Sequence, residues 1–160
     1  MDLKIVDLLI PEEANLIVGQ AHFIKTVEDL YEIIITSGLG VEFGLAFSEA
    51  SGECLIRVEG NDKELKDAAT ENAQRLAAGH TFNILLRKAF PINLLNAIKM
   101  CQEVCAIHCA TANPVQVILA ETELGRGILG VIDGFPPKGI EQEAGRAWRY
   151  DFLRQIGYKR

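Results

Sequence analysis

Val104-Cys-Ala-Ile-His-Cys-Ala-Thr-Ala-Asn-Pro-Val-Gln-Val-Ile-Leu-Ala-Glu-Thr-Glu-Leu-Gly-Arg-Gly-Ile-Leu-Gly-Val-Ile-Asp-Gly134 is the stretch on which the reading of the fold turns. Two turn signals cut it, Asn113-Pro114 and Leu124-Gly125-Arg126-Gly127. Three strand-length pieces remain, at about 104–111, 115–122 and 127–133. The first two are apolar at nearly every position instead of every second one, the pattern of strands covered on both faces. The short turns between them predict a central three-strand meander. Polar residues gather at the ends of the pieces: Thr111, Asn113, Glu121, Arg126 and Asp133. Such residues at the rim of a dry sheet are where a small-molecule pocket is usually built.

Working outward, Leu3–Ile10 and Asn15–Phe23 read as strands. Thr26 is placed to cap a helix stabilised by Val27, Leu30, Tyr31 and Ile34, with Gly38 ending it. Residues 43–59 read as a hairpin around Ser51-Gly52. That register sets Glu49 opposite Cys54, Phe47 opposite Ile56 and Leu45 opposite Val58, and puts Arg57 on the other face. Asn61, with Glu64 three positions on, is expected to cap a second helix reaching about Ala78. His80–Arg87 is a further strand. Pro91 suits the first turn of a third helix, and a last helix runs from about Glu141 to Gln155, with Ala144, Trp148, Phe152 and Ile156 on one face. The expected architecture is one α+β domain over residues 1–160, a mixed, largely antiparallel sheet with the meander at its centre, packed by about four helices.

The totals narrow the function. Net charge is −6, which argues against broad binding to nucleic acid or anionic membrane. No apolar run reaches membrane-spanning length, the N-terminus lacks a signal-peptide pattern, and four cysteines without such a signal point to reduced thiols and a cytoplasmic location. Cys101, Cys105 and Cys109 are spaced four apart, but cluster-binding spacings are tighter, so they read as small buried thiols and no metal site is expected.

Each polar candidate has a plain alternative. Asp133 ends an apolar strand face, where lost solvation raises proton affinity as a general base requires; it can equally just start the Asp133-Gly134 turn. Gly125 and Gly127 let backbone amides approach a phosphate beside Arg126, or simply make a hairpin loop. Thr111 and Asn113 can offer a hydroxyl and an amide to a purine edge, or bond locally in an Asn-Pro turn. Asn93 has the same ambiguity, with helix capping as its alternative. Lys25, after His22-Phe23-Ile24, can hold a phosphate or stand in solvent. Glu49 lies at the rim of an apolar surface, and His108 reads as a core histidine.

Several segments together resemble the adenosine-specific kinase family of archaea and some bacteria. They are Gly19-Gln-Ala-His-Phe-Ile-Lys-Thr-Val-Glu-Asp29, Phe43-Gly-Leu-Ala-Phe-Ser-Glu-Ala-Ser-Gly52, Arg57 with Gly60-Asn-Asp62, Gly79-His80, Phe90-Pro-Ile-Asn93, Ala110-Thr-Ala-Asn-Pro114, Gly125-Arg-Gly-Ile-Leu-Gly-Val-Ile-Asp-Gly134, and Leu153-Arg154 with Gly157-Tyr-Lys159. The resemblance implies adenosine or AMP as ligand, with ATP and Mg²⁺ as cofactors for transfer of a phosphoryl group to the 5′-hydroxyl. It also implies a homo-oligomer, a trimer or a multiple of trimers. On that reading Asp133 takes the hydroxyl proton, while Arg126 and Lys25 meet phosphate. Thr111, Asn113 and Asn93 read the nucleoside; Glu49, Arg57, His22, Gly125 and Gly127 complete the pocket. The alternative is a non-catalytic adenosine or AMP sensor that keeps the pocket and lacks an ATP site.

Overall fold

The computed structural model describes residues 1–38 and 40–160. Eight strands and four helices follow the order β1 (Asp2–Asp7), β2 (Asn15–Ala21), α1 (Thr26–Ile35), β3 (Glu42–Ser48), β4 (Ile56–Gly60), α2 (Lys63–Leu76), β5 (Thr81–Arg87), α3 (Pro91–Lys99), β6 (Val104–Thr111), β7 (Val115–Glu121), β8 (Arg126–Asp133) and α4 (Glu143–Gln155). The fold is α+β, with two antiparallel sheets. One has five strands in the order β4-β3-β5-β2-β6, the other three in the order β1-β7-β8.

The expected three-strand meander is therefore divided. β7 and β8 form the predicted hairpin, but β6 pairs with β2 at the edge of the larger sheet. The chain changes sheets at Ala112-Asn113-Pro114. Continuous apolar sequence identified strands whose faces want cover; it did not identify which sheet supplies the neighbour, since a short turn can serve as a corner between sheets.

The five-stranded sheet has two dry faces because its strands alternate between two cores. Ile17, Phe43, Leu45, Phe47, Phe82, Ile84 and Leu86 pack against Leu30 and Ile34 of α1 and Leu94 and Ile98 of α3. Leu16, Val18, Ala46 and Leu85 face the opposite way, toward Leu65, Ala69, Ala73 and Leu76 of α2 and toward Val115, Val117 and Leu119 of β7. Gly44 lets α2 approach: a Cβ there would lie 2.2 Å from the Leu65 carbonyl carbon.

Local signals were mostly placed correctly, with three corrections. Lys25, not Thr26, precedes α1; the Thr26 hydroxyl instead donates back to the Phe23 carbonyl. Asp62, not Asn61, caps α2, accepting from Leu65 N at 2.9 Å. Asn61 is used for tertiary structure: its amide accepts from Phe43 N and donates to Val41 O, both at 2.8 Å. The β3–β4 register is shifted by one residue, pairing Phe47 with Arg57 and Ser48 with Ile56. The connection is not a two-residue turn. It closes through Glu49 N donating to Leu55 O, with Cys54 in the left-handed region at φ 52°. A one-residue shift exchanges faces, so Arg57 joins Phe47 and Glu49 on the same side.

Candidate functional site

That register builds the site. Glu49, just past the end of β3, and Arg57 of β4 meet in a bidentate pair, Nε to Oε1 at 3.1 Å and Nη2 to Oε2 at 3.2 Å. A planar guanidinium fixes a carboxylate in orientation as well as in charge. Glu49 and Ala50 line two adjoining cavities at once.

The larger cavity, about 830 Å³, lies between the β3–β4 loop, the C-terminal end of α2 and the β7–β8 turn. Ser48, Ala73, Ala77 and Ala78 give it small walls, and Gly125, Arg126 and Gly127 close its rim. Its volume falls within the range of pockets for nucleotide-sized molecules. Arg126 is already engaged: Nη1 donates to Arg75 O at 3.3 Å, and Nε donates to Glu121, which also pairs with Lys4 at 2.6 Å. Those two cations hold the Glu121 carboxyl below its ordinary range, the Lys4 hydrogen bond contributing most.

The smaller cavity, about 440 Å³, is lined by His22, Phe23, Phe47, Glu49, Arg57 and His80, among others. The Phe47 and His80 rings stack, with centroids 6.1 Å apart and planes at 11°. His80 has φ 59°, and its backbone joins two strands, donating to Ser48 O and accepting from Ala21 N. A flat aromatic surface beside a fixed carboxylate and two imidazoles can hold a planar heterocycle carrying hydroxyl groups.

The sequence candidates thus separate into groups. Glu49, Arg57 and His22 come together in the smaller cavity; Glu49, Arg126, Gly125 and Gly127 come together in the larger one. Thr111, Asn113 and Asp133 form a third group: Asp133 Oδ1 accepts from Thr111 Oγ1 at 2.7 Å and from Asn113 Nδ2 at 3.1 Å. Asp133 and Arg126 stand at opposite ends of β8, about 23 Å apart at strand rise. One chain therefore does not bring Asp133 to Glu49 and Arg126. Asn93 spends its side chain accepting from Phe90 N at 2.9 Å, the capping alternative. Lys25 contacts Asp29 at 2.9 Å and Glu103 at 3.1 Å. Burial opposes charge on Glu103, but contacts from Cys101, Asp29 and Lys25 outweigh it and hold its carboxyl low. Sequence reasoning gave no site role to His80 or Phe47; the only signals were the Gly79-His80 pair and the Phe43–Gly52 segment.

The fold is α+β, and its two adjoining cavities share the Glu49 carboxylate. The chain belongs to the adenosine-specific kinase family, whose profile matches residues 6–159. Among solved structures it is similar to the PH1918 protein from Pyrococcus horikoshii OT3, with a TM-score of 0.94, 43% identity, and coverage of 99% of this chain and 98% of that one. No curated protein matches the chain.

Proposed function

We propose that the cleft binds adenosine and transfers a phosphoryl group from ATP to its 5′-hydroxyl. The observation that carries this reading is that Glu49, fixed by Arg57, borders both cavities. The base lies against Phe23 and the His80 ring, which the buried Phe47 ring backs. The ribose hydroxyls meet the Glu49 carboxylate, which accepts the 5′-proton as the oxygen attacks. Glu49 takes this role because Asp133 lies outside the cleft of its own chain. The larger cavity takes the phosphate chain, with Arg126 turning from Glu121 toward it and Gly125 and Gly127 leaving backbone amides accessible.

Family membership implies Mg²⁺, which would supply charge neutralisation for phosphoryl transfer. Glu49 borders the larger cavity as well as the smaller, and Glu53 lines the smaller one beside it. One or two carboxylates with substrate phosphates make an ordinary Mg²⁺ donor set, so these residues fit the ion and would hold it. Incubation with adenosine and Mg-ATP yields AMP on this reading. A folded protein that binds adenosine but never forms AMP overturns the kinase part.

One observation favours the second reading, an adenosine or AMP sensor. The C-terminal end of α2 faces the larger cavity, and the negative end of a helix dipole disfavours a polyphosphate. Calorimetry with adenosine, AMP and ATP in turn separates the two: binding of adenosine and AMP without ATP supports the sensor.

The same proposal includes a homo-oligomer, of trimeric type, in the cytoplasm. Among the described residues no helix is long and apolar enough to cross a membrane. Support for assembly lies in two apolar faces with no cover in the chain. None of α4 is buried, and Trp148 is 65% exposed. The outer face of the β1-β7-β8 sheet presents Leu3, Ile5, Leu129 and Ile132. A second copy supplies the match: residues 143–160 carry five basic and two acidic side chains, whereas residues 1–142 carry 11 and 20.

A further inference from the structure

Beside α1, three metal-ligating side chains from two segments converge, none of them lining either part of the cleft. One donor atom each from Asp29, Cys101 and Glu103 lies within 4.8 Å of the other two. Asp29 comes from α1, and Cys101 and Glu103 from the turn leading into β6. In a tetrahedral zinc site with ordinary bond lengths the donors stand about 3.5 Å apart, so closing around an ion needs only small side-chain movements. Cys101 Sγ lies 2.8 Å from Glu103 Oε2, with a single proton between them.

The second observation concerns Glu103 itself. It is 1% exposed, and its Oε1 is buried without a hydrogen bond. Lys25 Nζ stands 3.1 Å from that oxygen. It supplies charge to that oxygen and is shared with Asp29. The Lys25 side chain is 41% exposed, so it can swing into water and leave its place to another cation. An entry path exists: a surface cavity of about 540 Å³ is lined by Asp29, Met100, Cys101 and Gln102. Exposed carboxylate clusters commonly stand without metal, but here a buried thiol is added, together with a buried carboxylate whose Oε1 meets only the partly exposed Lys25 ammonium.

We propose that Asp29, Cys101 and Glu103 bind one divalent ion of the zinc class, with the fourth position open to water or to the Met100 thioether. A thiolate among the donors selects zinc-like ions over Mg²⁺ and Ca²⁺. On binding, Cys101 releases its proton to solvent, the sulfur–metal bond replaces the S–H···O contact, and Lys25 leaves Glu103 for water.

The test uses the full chain after chelator treatment, titrated with Co²⁺ and then Zn²⁺. One Co²⁺ per chain is expected, with a thiolate-to-cobalt charge-transfer band that Zn²⁺ abolishes. Cys101→Ser removes the band, Asp29→Asn weakens binding about tenfold or more, and Lys25→Met tightens it by removing the competing ammonium. A Cys54→Ser/Cys105→Ser variant, lacking the two exposed thiols, retains the band. No binding, binding without the band, or a band that survives Cys101→Ser overturns the site. If Cys101→Ser does not fold, the opposite responses of Asp29→Asn and Lys25→Met decide: a plain ion pair gives no tighter metal binding when Lys25 is removed.

Discussion

The Glu49–Arg57 pair concentrates the functional argument in two side chains. Glu49→Gln keeps the shape and removes the charge, so the fold should persist while adenosine affinity, read by calorimetry, falls about tenfold, the value of one charge-assisted hydrogen bond. Unchanged affinity would remove Glu49 from the ribose position. Arg57→Met leaves the carboxylate in place but free to turn, and its larger effect is expected on turnover. Gly44 is a purely structural residue. Gly44→Ala drives a methyl into the Leu65 backbone, so α2 or β3 must shift, at about 1–3 kcal/mol by urea denaturation. His108 reports on pH. Burial lowers its proton affinity below the ordinary 6.5. The unfolded chain then binds more protons in that range, so the His108 contribution is complete above pH 6.5 and shrinks as pH falls through it. His108→Gln should flatten the slope of melting temperature against pH there; an unaltered slope excludes His108 as the cause.

At the scale of elements, the helices were more legible than the sheets. The periodicity of Val27, Leu30 and Ile34, and Pro91 at a first turn, placed α1 and α3 to within a residue or two, because a helix declares itself from residues four apart. Strand partners are non-local, and here they misled. The loop after β3 looked like a two-residue turn because Ser51-Gly52 is a strong turn signal. The left-handed Cys54 that lengthens it has no sequence mark, and the resulting shift hid the Arg57–Glu49 pair. The grouping of the candidates was legible in part for the same reason: Glu49, Arg57 and His22 line one cavity and Glu49, Gly125, Arg126 and Gly127 the other, but Asp133 and Arg126 share a strand and so lie at its two ends. Caps were confused only between neighbours. Asp62→Ala should therefore cost α2 about 1 kcal/mol, and Asn61→Ala should instead loosen the Val41–Phe43 strand entry. If Asn61→Ala exposes the α2 amides to hydrogen exchange and Asp62→Ala does not, the assignment of the cap is reversed.

For the whole molecule, the surfaces that look unfinished in one chain explain why the sequence read as more buried than the chain is. β7 is apolar on both faces, yet only Val115, Val117 and Leu119 are covered; Ile118 and Ala120 join Leu3 and Ile5 on the outer face. The Trp148 and Phe152 rings stack on each other at 5.0 Å with no core beneath them. In the proposed assembly α4 of one copy, a basic amphipathic helix on an otherwise acidic body, lies on the apolar β1-β7-β8 face of the next. Such contacts are heterologous, and they form a closed ring when the rotation per copy allows it. Two single changes on the two sides, Trp148→Glu on the helix and Ile5→Arg on the sheet, should each lower the mass measured by light scattering to that of one chain, 17.6 kDa, without loss of circular dichroism. A wild-type protein that already has that mass would refute the contact. So would an assembly that tolerates both charges. Asp133, bonded to Asn113 of the β6–β7 turn, ends β8 just before the chain leaves for α4, so the same variants also report on adenosine binding: loss of affinity together with assembly would bring that third polar group to a neighbour's cleft, whereas full affinity in the separated chains would leave Glu49 and Arg57 as the complete site.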